Sequence, residues 1–86
     1  MSALVRHFGL TIRRFREAQA WSQEQLAEHA GLNRSYIGEI ERGAAIASIV
    51  TADKLARAFR VPIASLFHGS FGGAQVSDSV DRKSLA

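Results

Sequence analysis

Over residues 4–19, apolar side chains recur every three or four positions: Val5, Phe8, Ile12 and Phe15. That spacing is the stripe of a helix packed on one face, with Arg13, Arg14 and Glu17 on the opposite side. A second helical run opens at Ser22-Gln23-Glu24-Gln25, where Ser22 caps and Gln25 reaches back as a capping box. Leu26, Ala27 and Ala30 form its buried side, and Gly31 supplies the backbone freedom that ends it. Asn33 is a good N-cap for a third helix running to about Arg42 and stopped by Gly43. Ser48 caps a fourth, with Ile49, Ala52, Leu55, Ala56 and Phe59 on one face. Arg60-Val61-Pro62 marks a break, and Pro62 suits the first turn of a short fifth helix carrying Ile63, Leu66 and Phe67.

The pattern predicts an all-α domain of five helices over residues 1–69. After His68 the character changes to Gly69-Ser70-Phe71-Gly72-Gly73 and a polar stretch, read as a flexible tail over residues 70–86. The charges of that stretch balance, Arg82 and Lys83 against Asp78 and Asp81, so the net charge of +3 belongs to the helical part. A mildly basic domain suits an anionic partner without proving one.

At 86 residues there is room for one domain and a modest core, which favours tight helix packing or a partner subunit. The absence of cysteine rules out disulfides and thiolate metal sites. No apolar run reaches the roughly 18 residues of a membrane span. The first residues interrupt their apolar character with Arg6, Arg13 and Arg14, unlike a secretory signal, so a cytoplasmic location is expected. His7, His29 and His68 have no companions at metal-ligand spacing, and neither a nucleophile–base motif nor a glycine-rich phosphate loop is present. No enzyme, metal or cofactor is expected.

At about 100° per residue, Arg34, Ser35, Gly38, Glu39 and Arg42 fall on one side of the third helix. Ile37, Ile40 and Glu41 fall roughly opposite. One face is apolar for the core; the other is polar, small in places and charged at both ends, and such a face can enter a DNA major groove. Gly38 costs roughly 1 kcal/mol in a helix interior relative to Ala. Close approach to DNA and close helix packing rationalise it equally well.

Two helices of about nine residues joined by a tight turn at Gly31 are the local signature of a helix-turn-helix. The run SQEQLAEHAGLNRSYIGEIERG, residues 22–43, resembles the helix-turn-helix of phage repressor and Cro proteins, the XRE family. IRRFREAQAW, residues 12–21, looks like the family's first helix and its exit, and DKLARAFRVPIASLF, residues 53–67, like its fourth and fifth. The resemblance covers roughly residues 8–67 in one register. Ala20 stands where the family usually has Gly or another turn-tolerant residue, and Ala47 where it usually has Pro. Some restriction-modification controller proteins also lack that Pro. The loop Ala44-Ala45-Ile46 lacks the basic residues often found there.

The resemblance implies a phage-repressor-like fold and a dimeric, sequence-specific regulator of transcription that binds double-stranded DNA. Arg34, near the start of the recognition helix, is the leading base reader, its fork matching guanine O6 and N7. Ser35 and Glu39 are second readers, and Gly38 lies among them. Gln23 occupies the family's backbone-contacting position at the start of helix two, where free N–H groups suit phosphate; a solvated helix start is the alternative. Asn33, Tyr36 and Arg42 are further backbone candidates, Tyr36 the one most suited to a structural role. Arg13 and Arg14 either reach phosphates or form a solvated basic face. Arg16 and Glu41 stand at positions where such repressors carry a bridging ion pair, and are assigned to structure. Val61, Ile63 and Phe67 are the candidate dimer interface, and they serve equally as core. A different class of reading, a protein-interaction module such as the antitoxin half of a toxin pair, would use the segment after Gly69, which is short and poor in large apolar residues.

Overall fold

In the computed structural model, which describes residues 2–67, four serine and asparagine side chains begin four helices. Helix α1 spans Ala3–Ala18, with Ser2 Oγ accepting from the Val5 N–H at 3.2 Å. Helix α2 spans Gln23–Ala30 behind a complete capping box: Gln25 N–H donates to Ser22 Oγ at 3.0 Å, and Ser22 N–H to Gln25 Oε1 at 2.7 Å. Helix α3 spans Arg34–Glu41, capped by Asn33, and α4 spans Ile49–Phe59, capped by Ser48. Each cap satisfies an N–H that the helix itself leaves unpaired, an effect of about 1 kcal/mol apiece.

The expected fifth helix is a single 3₁₀ turn, Ile63–Leu66, preceded by Pro62 in an extended conformation without a side-chain cap. Pro62 supplies no side-chain cap and no N–H of its own, and a four-residue run is the ordinary length of a 3₁₀ turn. The all-α class holds, with four α-helices and this turn among the described residues.

The core is a single cluster in which Ile12, Leu26, Ile37, Ile40, Leu55 and Leu66 are fully buried, one or two from each element. Helix α3 packs on both α1 and α2, while α4 closes the other side against α2 and the 3₁₀ turn. Phe8 meets Phe67 at 5.1 Å between ring centroids, and Phe15 meets Phe59 at 5.2 Å. One residue assigned to the core face is misplaced: Ile49 is 82% exposed. As the first residue of α4 it lies ahead of the turn that touches the core, and Thr51 is buried there in its place. The Thr51 hydroxyl is satisfied by Ser48 Oγ at 3.1 Å.

Two contacts fix how α1 lies on α3. Gly9 is buried in mid-helix, and a Cβ built there would overlap the Ile40 carbonyl oxygen and lie 2.9 Å from that of Glu41. Only hydrogen at this position lets the two backbones cross so closely. Seven residues on, Arg16 reaches across the same interface to Glu41. The turn that follows α1 places Ala20 at φ 60°, the left-handed region that costs a residue with a Cβ about 1–2 kcal/mol. Arg60 closes α4 in the same conformation at φ 59°.

Candidate nucleic-acid interface

Between α2 and α3 the chain turns in three residues. Gly31 sits at φ 67°, a conformation that glycine adopts without steric cost, and Leu32 N–H donates to Ala27 O at 2.9 Å. Leu32 packs against the core and so sets the angle at which α3 leaves. Asn33 Oδ1 then accepts from Ser35 N–H at 2.7 Å and starts α3.

With Ile37 and Ile40 buried, α3 has one orientation open to it, and that orientation exposes Arg34, Ser35, Glu39 and Arg42 together on its outer face. Asn33 is exposed beside them. Tyr36 is half-buried, and its hydroxyl lies 3.4 Å from Thr51 Oγ1, joining a chain of hydroxyls with Ser48. Gly38 is neither bare nor packed on the apolar core. The side chains that cover it are polar, with Arg42 Nη1 at 3.1 Å and Gln23 Oε1 at 3.6 Å from the place a Cβ would take.

The centre of the site is the carboxylate of Glu41, whose side chain is only 4% exposed. Arg16 Nε donates to its Oε2 at 2.7 Å and Nη2 to its Oε1 at 3.0 Å, a two-pronged pair. Arg16 Nη1 donates to the Trp21 carbonyl at 2.8 Å, so one guanidinium ties α1, the following turn and α3. The hydrogen bond to Glu41 raises the Arg16 pKa, against the opposing effect of burial. Gln23, at the start of α2, donates from Nε2 to Glu41 Oε1 at 3.1 Å. The capping box engages the N–H groups of Ser22 and Gln25 and leaves those of Gln23 and Glu24 without a hydrogen bond among the described residues.

The remaining candidates lie apart from this cluster. Arg13 pairs with Glu17 at 3.1 Å on the exposed surface of α1, a contact worth a few tenths of a kcal/mol. Arg14 points to the side of α1 away from Gly9 and Arg16, where it borders a shallow depression with Thr11, Phe15 and Ser65. Val61 and Phe67 are half-buried against the core, and Ile63 is 38% exposed. Among the described residues the most exposed large apolar side chains are instead Ile46, in the loop before α4, and Ile49 and Val50, its first two residues. Among the described residues no three His, Cys, Asp or Glu side chains gather as a metal site, and His29 stacks on Trp21 with ring centroids 4.0 Å apart. No described helix is long and apolar enough to cross a membrane.

Sequence reasoning missed three things here: Gly9, the Gln23–Glu41 hydrogen bond and the Thr51–Tyr36 contact. Gly9 left a trace, as a glycine in the middle of a strong helical stripe. The other two join residues 18 and 15 apart and left none.

Comparison with known proteins places this arrangement. Residues 12–66 match the HTH_3 helix-turn-helix family. The chain is 40% identical over 55 residues to the control protein C.SmaI of Serratia marcescens, covering 64% of this chain and 66% of that protein. It is 31% identical over 65 residues to the HTH-type transcriptional regulator SutR of Escherichia coli, covering 76% of this chain but only 36% of SutR. The chain thus spans about a third of one curated relative and just under two thirds of the other. The crystal structure of the restriction-modification controller protein C.AhdI from Aeromonas hydrophila superposes with a TM-score of 0.75 at 42% identity, over 77% of this chain and 100% of that one. With α2 and α3 forming the helix-turn-helix and α3 presenting its polar face, the chain belongs to the HTH_3 family of DNA-binding transcriptional regulators, the XRE family.

Proposed function

We propose that this protein is a sequence-specific regulator that binds double-stranded DNA as a homodimer on a roughly palindromic operator. The observation that carries the reading is the outer face of α3, where Arg34, Ser35, Glu39 and Arg42 stand exposed on a helix whose rotation is locked by Ile37 and Ile40. Arg34 reads guanine, Ser35 and Glu39 refine the choice, and Gln23, Asn33 and Arg42 hold phosphates. Glu39 accepts from cytosine N4 but repels phosphate, so it restricts sequence more than it adds affinity. Tyr36 is tied to α4, and Arg14 faces away from α3, so both contribute to the domain rather than to base reading.

One recognition helix touches few base pairs, so a single domain discriminates poorly and pairing is needed. Ile49, Ile46 and Val50, 82%, 71% and 64% exposed, are the large apolar side chains with most to gain from burial in such a pair, with Ile63 a smaller contributor. The protein acts without catalysis or cofactor, in the cytoplasm. Residues 1–69 form the DNA-binding domain; the tail assigned to residues 70–86 lies outside the described residues. Likeness to C.SmaI and C.AhdI supports the restriction-modification controller subtype, which predicts methyltransferase and endonuclease genes beside its own.

The test is selection of bound DNA from a random pool, followed by footprinting and sedimentation of the complex. The expected result is two protected half-sites about 34–36 Å apart, one DNA turn, occupied by two chains. A single asymmetric site holding one chain would refute the dimeric reading.

A further inference from the structure

The side chains of Gln23 and Arg42 come from different helices yet meet over one residue. A Cβ on Gly38 would lie 3.1 Å from Arg42 Nη1 and 3.6 Å and 3.8 Å from Gln23 Oε1 and Nε2. Arg42 follows Gly38 by four positions, and side chains of a helix lean toward its N-terminus, so the guanidinium folds back over the glycine. Any side chain at position 38 would occupy the space it uses. Gln23 is held there from behind: its Nε2 donates to Glu41 Oε1, which also accepts from Arg16 Nη2 and cannot rotate away. An amide with one N–H engaged in this way keeps its second for another acceptor. Among the described residues the Arg42 guanidinium forms no ion pair.

We propose that Gly38 and Glu41 are positioning residues for DNA binding: Glu41 fixes the Gln23 amide, Gly38 leaves the room in which Arg42 lies beside it, and the two donors close on one backbone phosphate. This rests on the DNA-binding face proposed above. Neither Gly38 nor Glu41 touches DNA. Because the gripped group is a phosphate, both residues set affinity for every sequence and leave base preference unchanged. The pair Arg16–Glu41 thereby has a second role besides joining α1 to α3.

The test measures anisotropy of a fluorescein-labelled duplex of random sequence over a salt series, at a temperature where circular dichroism shows each variant folded. Binding of the parent with a steep salt dependence tests the DNA-binding reading itself, and failure there removes both proposals. Given parental binding, Gly38→Ala is expected to bind about three- to tenfold more weakly, with a log–log salt slope smaller by about one. Its melting temperature is expected to stay within a few degrees, because the Cβ meets the movable end of Arg42 and alanine favours the helix. In an Arg42→Ala background the same substitution is expected to do nothing further. Glu41→Gln separates position from charge: removing a negative charge tightens binding if charge alone matters, whereas one acceptor oxygen left for Arg16 and Gln23 together, in place of two, loosens the amide's anchor and weakens binding. We expect weaker binding, and no added effect in Gln23→Ala. Parental affinity and slope for Gly38→Ala, an undiminished loss in Arg42→Ala, or tighter binding by Glu41→Gln would each overturn the proposal.

Discussion

Replacing Gly9 by alanine adds one carbon atom at the tightest point of the fold. That carbon falls inside contact distance of the Ile40 carbonyl oxygen, 2.9 Å from the Glu41 oxygen and 3.1 Å from the Glu41 carbonyl carbon. All three are backbone atoms in the last turn of α3, and none can rotate aside. Helix α1 must instead lift by about 1 Å to restore ordinary separations of 3.5–4 Å. Overpacking of this kind typically costs about 1–3 kcal/mol, and a backbone obstacle places it at the upper end. Alanine returns about 1 kcal/mol through its higher helix propensity. The lift also stretches the Arg16–Glu41 pair, whose rupture alone costs about 3–5 kcal/mol when buried. The net expectation for Gly9→Ala is a loss of about 2–4 kcal/mol, or a melting temperature lower by about 10–25 °C in a domain of this size. Thermal unfolding followed by circular dichroism at 222 nm reads it directly. A variant that melts at or above the parent temperature would mean that α1 and α3 cross more loosely than described, and the reasoning would fail.

Arg34→Ala is expected to cost about 1–3 kcal/mol of operator affinity and to relax preference at one base pair per half-site; equal losses on selected and random DNA would make it a phosphate contact instead. Arg16→Ala leaves the Glu41 carboxylate, 4% exposed, without its partner, and is expected to lose about 3–5 kcal/mol in a urea titration. The double variant with Glu41→Ala is expected to lose less than the sum of the two; full additivity would show that the pair is not coupled. Ala20→Gly removes a left-handed Cβ conflict of about 1–2 kcal/mol and gives back part through a more flexible unfolded chain. It is expected to raise the melting temperature by a few degrees, and a lower one would refute the strain assigned to Ala20.

Local chemistry made the helix starts legible. Ser22, Asn33 and Ser48 act within three residues of themselves, so their hydrogen bonds follow from spacing alone. The polar face of α3 was legible for the same reason, because a buried Ile37 and Ile40 leave only one side for Arg34 and Glu39. Ile49 shows where periodicity stops working. The apolar spacing begins at Ile49, two residues before Thr51, where α4 first meets the core. The fifth element shows the limit of a start signal: Pro62 opens an α-helix or a 3₁₀ turn equally well, so the spacing of Ile63, Leu66 and Phe67 predicts a short helix without fixing its type. Gly9 and Gly38 were invisible in their true roles, since a glycine declares that something comes near without saying what. In one case it is the backbone of α3, in the other the tips of two polar side chains.

The exposed triad on α3 has a consequence for how such a regulator changes its targets. Arg34, Ser35 and Glu39 contribute nothing to the core, and none takes part in the ion pairs of the described residues. Their replacement therefore leaves folding stability nearly untouched, as surface substitutions generally do. If these three read bases as proposed, new operator preferences are reachable by single steps that keep the domain folded, and duplicated copies drift apart in target while sharing one scaffold. Positions 38, 41 and 42 form the opposite kind of group, where a change at one alters what its neighbours can hold. A library built for retargeting belongs at 34, 35 and 39, with Gly38, Glu41 and Arg42 held constant beneath it.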